Sequence, residues 1–140
     1  MASLIAHYQA SEDPVPVQAV ADLDALLDRM AADHATRSGP VPPMVELSRP
    51  DPWAEGWVIV RLGVDHDRGF LAHADASGSF ITTGGADRHG TAVVYDHMGH
   101  PREFPADAEV PLHDLRKAAH DLITTDGGRS PAVAWRPWER

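Results

Sequence analysis

The feature that most limits the fold lies in the middle of the chain. There, short runs of strand-forming residues alternate with turns too small to hold a crossover. Trp57-Val58-Ile59-Val60-Arg61-Leu62-Gly63-Val64 is rich in β-branched residues and reads as a strand. Asp65-His66-Asp67-Arg68-Gly69 is short, polar and closed by glycine, which is turn chemistry. Phe70 to Ala74 returns as a partner strand, Asp75-Ala76-Ser77-Gly78 turns again, and Ser79 to Thr83 makes the next run. After a longer loop from Gly84 to Gly90, Thr91 to Asp96 reads as one more strand. Parallel neighbours need a connection of a dozen or more residues. These strands are therefore expected to run antiparallel, as a meander.

Segments with helical period flank the meander. Val20, Leu23, Leu26, Leu27 and Met30 recur three or four apart and predict a helix from Val20 to about His34. Asp22, Asp24, Asp28 and Arg29 lie off that stripe, and the first two suit the positive end of the helix dipole. Ser38-Gly39-Pro40 and Pro42-Pro43 stop the helix. Leu112, Leu115, Ala118, Ala119 and Leu122 form a second stripe. Pro111 is placed to open it, because proline tolerates the first helical position. Thr124-Thr125-Asp126-Gly127-Gly128 closes it. Arg116, Lys117 and Asp121 are expected to face water. Val15-Pro16-Val17, Met44 to Leu47, the surroundings of Glu103-Phe104, and Ala132 to Trp135 read as short extended pieces. The expected class is α+β, one domain over residues 1–140, with an antiparallel β-meander sheet packed against two main α-helices.

Composition narrows what such a domain does. A chain of this length buries roughly 68% of the surface it exposes when unfolded, enough for a core without disulfides or metal. It contains no cysteine, which removes disulfide frameworks, thiolate metal sites and cysteine nucleophiles. Met1 to Tyr8 lacks the basic start and apolar run of a secretory signal, and no stretch approaches a membrane span. A soluble, cytoplasmic protein is expected. Acidic residues number 21 against 12 Lys plus Arg, a formal net charge of −9. Such a field repels nucleic acid and anionic lipid, and it speeds encounter with a basic protein.

No catalytic or metal motif stands out. The nine histidines include His66, His73, His89, His97 and His100, with Asp65 and Asp67 beside His66. There is no H-E-x-x-H, and the acids lack the later glycine and glutamate of a calcium loop. Solvated loop histidines are the expectation, with no metal and no cofactor. Ser77-Gly78-Ser79 is not a nucleophile elbow between a strand and a helix. The Gly84-to-Gly90 loop lacks the Lys-Ser/Thr of a phosphate loop. Trp57 and Trp135 lie in expected strands and point to the core, whereas Trp53 and Trp138 lie among prolines in irregular segments.

The C-terminal half carries an ordered set of short pieces. They are Val94-Tyr95-Asp96-His97-Met98-Gly99, Glu103-Phe104-Pro105, Glu109-Val110-Pro111-Leu112, Leu115-Arg116-Lys117-Ala118, Gly127-Gly128-Arg129-Ser130-Pro131 and Val133-Ala134-Trp135. This order resembles the first-numbered immunity-protein family of bacterial polymorphic toxin systems, which is common in actinobacteria. Leu23 to Arg29 and the Asp65-to-Gly69 hairpin fit the same outline, so the resemblance covers most of the chain. This chain has Asp96 where the family tends to show a second aromatic, and Ala134 where it tends to show an acid. The resemblance implies an α+β protein that binds and neutralises a cognate toxin, often one that targets nucleic acid, such as a deaminase. It implies no catalysis.

Two readings follow. In the first, the chain is a stoichiometric inhibitor whose acidic turns meet a basic toxin domain, with Asp65, Asp67, Asp75, Asp96 and Glu103 as partner-binding residues. In the second, it is a small ligand- or metal-binding regulator or enzyme, and some of His66, His73, His89, His97 and His100 converge on a concave pocket. The ordered pieces and the missing catalytic signature favour the first.

Overall fold

The computed structural model describes residues 4–36, 41–51, 56–84 and 91–139. The order of elements is β1 (Leu4–His7), β2 (Val15–Val17), α1 (Val20–Thr36), β3 (Met44–Ser48), β4 (Val58–Asp65), β5 (Arg68–Asp75), β6 (Gly78–Thr83), β7 (Val93–His97), β8 (His100–Phe104), β9 (Val110–Pro111), α2 (Leu112–Thr124) and β10 (Ala134–Pro137). The class is α+β, as the periodicities imply. Ser38 to Pro40, Trp53, and the 85–90 stretch with His89 lie outside the described residues.

The large sheet runs β10-β6-β5-β4-β3-β1-β2, with β9 paired to β5. The meander holds for β3 to β6, all antiparallel. Its turns are tighter than the sequence implied. Asp65 pairs with Arg68 and Asp75 pairs with Gly78, which leaves only His66-Asp67 and Ala76-Ser77 at the tips. Three strand placements differ from the expectation. The run ending at Asp96 leaves the meander: β7 pairs antiparallel with β8 in a separate two-stranded sheet. Its vacant place beside β6 is taken by β10, which sits two residues later than the Ala132-to-Trp135 run. β1, which local pattern did not mark, pairs between β2 and β3.

Alternation along the strands builds two cores. Val58, Val60, Leu62 and Val64 of β4 face the helices. There they meet Leu23, Leu26, Leu27 and Met30 of α1 and Leu115, Ala118, Ala119 and Leu122 of α2. The opposite face of the sheet supplies Met44, Phe70, Ala72 and Ile81, which pack against Val93, Tyr95, Phe104 and Ala108. Two glycines permit these approaches. A Cβ on Gly63 would lie 2.4 Å from the Phe70 ring and 2.6 Å from the Tyr95 ring. One on Gly69 would lie 2.1 Å from the Gly63 carbonyl oxygen and 2.6 Å from Leu115.

Helix ends and bridges complete the frame. No Ser, Thr or Asn starts α1. Instead the Asp22 carboxylate reaches back to accept from the amides of Gln18 (3.0 Å) and Ala19 (3.1 Å). Pro111 stands one position ahead of α2 with extended backbone, rather than inside its first turn. Arg116 and Asp121 do not simply face water. Arg116 donates to Asp24 of α1 at 2.9 Å, and Asp121 accepts from Ser130 at 2.6 Å and from Lys117 at 3.1 Å. Trp135 packs on the helix-side core, and Trp138 packs on the other one.

Candidate partner-binding surface

The β4–β5 turn is a fixed projection. The Asp67 carbonyl accepts the amide of Leu112 at 2.8 Å, which joins the turn to the start of α2. The Val64 amide donates to the Pro43 carbonyl at 3.4 Å, which joins it to the approach of β3. Asp65 is largely covered, its side chain 17% exposed, and faces His34 at the end of α1. Asp67 is 90% exposed, and among the described residues the neighbouring Arg68 guanidinium stands 3.7 Å from it. An ion pair this open to solvent is worth little, so the Asp67 carboxylate stays available to a partner.

The β7–β8 hairpin stands next to this turn. The Asp96 amide donates to the Pro42 carbonyl at 2.8 Å, so the Pro42-Pro43 pair touches both units. Tyr95, Val93 and Phe104 point into the core, which sends Asp96 and Glu103 to the outer side of the hairpin. Asp96 is opposite Pro101, and Glu103 is opposite Val94. The two acids are thus diagonal neighbours, roughly 7–8 Å apart at the backbone by ordinary sheet geometry. Four of the five expected acids therefore gather around one end of the molecule.

Asp75 does not join them. It ends β5, at the opposite end of the hairpin from Asp65. Its carboxylate accepts from the Ser77 amide (2.9 Å) and hydroxyl (2.5 Å). Partial burial raises its pKa. The Ser77 hydrogen bonds, with the nearby His73 and Arg129 charges, more than offset this, and the net shift is downward. Asp75 borders an open groove of about 410 Å³, shared with Arg49, Trp57, Thr125 and Asp126.

Several other acids are committed to the fold. Asp24 accepts from His120 (2.7 Å) and Arg116 (2.9 Å), and these bonds hold its carboxyl below the usual range. Asp107 is lowered first by the Arg136 guanidinium at 2.9 Å and then by the Thr83 hydroxyl. Asp121 is lowered by the Ser130 hydroxyl and the Lys117 ammonium. These residues tie helix to helix or strand to loop, so they have less to offer a partner.

The histidines are not uniformly solvated. His73 is buried on β5, with Nε2 2.7 Å from the Gly127 carbonyl and its ring edge-on to Trp135. His97 Nε2 lies 3.2 Å from the His7 carbonyl, and His97 pairs across the hairpin with His100. His66 sits at the β4–β5 tip. Of the five in question, four are described: His97 and His100 meet across the β7–β8 hairpin, whereas His66 stands at the β4–β5 tip and His73 inside β5, so the described ones do not converge as one group. A different residue, His34, joins the tip instead: its Nε2 is 3.5 Å from Asp65 and its ring centroid 4.7 Å from that of His66. No sequence spacing pairs the end of α1 with that turn. Among the described residues, no helix is long and apolar enough to cross a membrane.

Comparison with known families adds the functional frame. The family model described as Immunity protein Imm1 matches residues 11–137, and the chain belongs to that family. Comparison with curated proteins gives no match.

Proposed function

We propose that this Imm1-family chain works in the cytoplasm as a stoichiometric inhibitor: it binds a cognate toxin domain and covers its working surface. The toxin it fits best is a basic one that acts on nucleic acid, a deaminase being the leading type. Membership of an immunity-protein family over nearly the whole chain carries this reading. The electrostatics support it. A protein that holds a polyanion presents a basic cleft, and carboxylates of an inhibitor can stand where phosphates would. The net charge of −9 favours that encounter over binding of nucleic acid or membrane by this chain. Asp67 on its turn and Glu103 on β8 would offer exposed negative charge, with Asp96 of β7 and the largely covered Asp65 beside them, and Asp75 would contribute from a second, separate patch. No bond-making or bond-breaking step is assigned to the chain.

The test uses the toxin domain encoded by the adjacent reading frame, purified and titrated with the full chain. Asp67→Lys with Glu103→Lys reverses two exposed charges without touching the core. The double variant is expected to weaken the complex at least about tenfold at low salt, equivalent to roughly 1.4 kcal/mol. It should also flatten the dependence of affinity on salt. Unchanged affinity and salt dependence would remove the charge argument. Failure of the unaltered chain to bind or inhibit that domain would remove the inhibitor reading itself.

A further inference from the structure

The last turn of α1 and the β4–β5 turn bring three side chains of metal-ligand type to one point. The donor atoms of His34, Asp65 and His66 all lie within 4.8 Å of one another. His34 Nε2 is 3.5 Å and His66 Nε2 is 3.9 Å from the same Asp65 oxygen. Ligand atoms about 2.0–2.1 Å from a tetrahedral zinc ion stand roughly 3.3–3.4 Å from each other. Small side-chain rotations at the tip would close the triangle.

His34 is the most enclosed of the three. Its side chain is only 8% exposed. Its Nδ1 is buried and has no hydrogen-bond partner among the described residues. A histidine buried for structure alone is expected to bond a carboxylate at about 2.7–2.9 Å, yet Nε2 stops at 3.5 Å from Asp65. His66 faces it from the other side, on a backbone with φ of 56°, a conformation uncommon outside glycine. The two rings lie 4.7 Å apart between centroids and are tilted at 48°. Each neutral imidazole can turn a ring-nitrogen lone pair toward the acid, and a divalent cation accepts two such lone pairs and a carboxylate oxygen together.

We infer that His34, Asp65 and His66 bind one Zn²⁺ ion, with a fourth position open to water on the His66 side. Two imidazoles and one carboxylate suit zinc, and Co²⁺ or Ni²⁺ in its place, whereas Ca²⁺ and Mg²⁺ demand oxygen ligands. The ion would fasten the end of α1 to the β4–β5 turn. This assignment is tested on the isolated chain, so its failure and that of the toxin reading are distinguishable; an ion on Asp65 would take that carboxylate out of the partner-binding set.

The experiment is a Zn²⁺ titration of the tag-free full chain by calorimetry, followed by Co²⁺ absorption spectroscopy. One ion per chain with a micromolar or tighter Kd is expected, together with the visible bands of a four-coordinate cobalt site. Zinc should also raise the thermal midpoint of unfolding. His66→Ala changes an exposed residue; because its φ of 56° strains alanine, the zinc-free variant's own thermal midpoint is the baseline for its shift. The substitution should weaken binding at least tenfold, abolish the cobalt bands and cancel the thermal shift. Asp65→Asn should act in the same direction. His100→Ala and His113→Ala, on exposed histidines elsewhere, should change none of these. Binding weaker than about 100 μM, or binding that survives His66→Ala unchanged, overturns the site.

Discussion

The two faces of the large sheet are filled by different means. On the helix side the core is aliphatic, built from the leucine, alanine and methionine stripes of α1 and α2 over the valines of β4. On the hairpin side it is led by rings. Phe70 lies 4.1 Å from Phe104 and 4.8 Å from Tyr95 between centroids, and Trp138 closes the edge 5.6 Å from Phe104. The first core spreads its contacts over many interchangeable residues. The second depends on a few, brought from strands distant in sequence. Close packing on the hairpin side is correspondingly less tolerant: Gly63 has no room for a methyl group against Phe70 and Tyr95.

Breaking the comparison starts with the rings. Phe70→Ala is expected to cost about 3–5 kcal/mol, against about 2–5 for Leu27→Ala on the helix side. The two should differ in kind as well as size. Phe70→Ala should release the hairpin and speed hydrogen exchange at the Asp96 amide, whereas Leu27→Ala should leave that amide at the exchange rate set by global unfolding. If both variants expose Asp96 equally, the two cores are one cooperative unit. A smaller effect is expected from Gly63→Ala, about 1–3 kcal/mol by overpacking, read from urea denaturation. A loss well below that range would mean the rings have slack.

The smallest effect is a pH dependence, and it falls on both faces. Asp24, Asp107 and Asp121 have folded-state pKa values below the ordinary carboxylate range. A lowered pKa means the folded state favours the ionised form. Their contribution is therefore present above the unfolded value of about 3.9 and is lost as pH falls through the lower folded values. The thermal midpoint should be level near pH 6 and decline below about pH 4. Asp24→Asn with Asp121→Asn removes the helix-side share and should shallow that decline more than Asp107→Asn does on the other side. An identical acid limb in all three proteins would show that these bonds do not set it.

What could be read from the sequence divides along the same line. α1 and α2 were legible because each carries its own apolar stripe; the structure carries α1 on to Thr36 and ends α2 at Thr124, where the closing segment begins. The β4-to-β6 meander was legible because turns as short as Asp65 to Gly69 and Asp75 to Gly78 leave room only for antiparallel neighbours. The partners of β7 and β10 were not, since Val93-Val94-Tyr95 and Ala134-Trp135 are suitable strand residues in any sheet; packing around Phe70 and Phe104 decides where they go. β1 was invisible for a related reason: four residues hold no period. For the candidate surface, Asp67 could be placed on a turn from its neighbours. The meeting of Asp96 with Glu103 required the β7–β8 register, and the meeting of His34 with Asp65 required the tertiary path of α1.

The Pro42-Pro43 pair has one more consequence. Both carbonyls accept, from Asp96 and from Val64, yet proline has no amide proton to return. Pro43 and Asp96 form one isolated parallel bridge between the large sheet and the hairpin, and neither proline can donate a further rung on that side. The hairpin is thus attached at a single rung, and the prolines keep that contact from growing into one wider, continuous sheet.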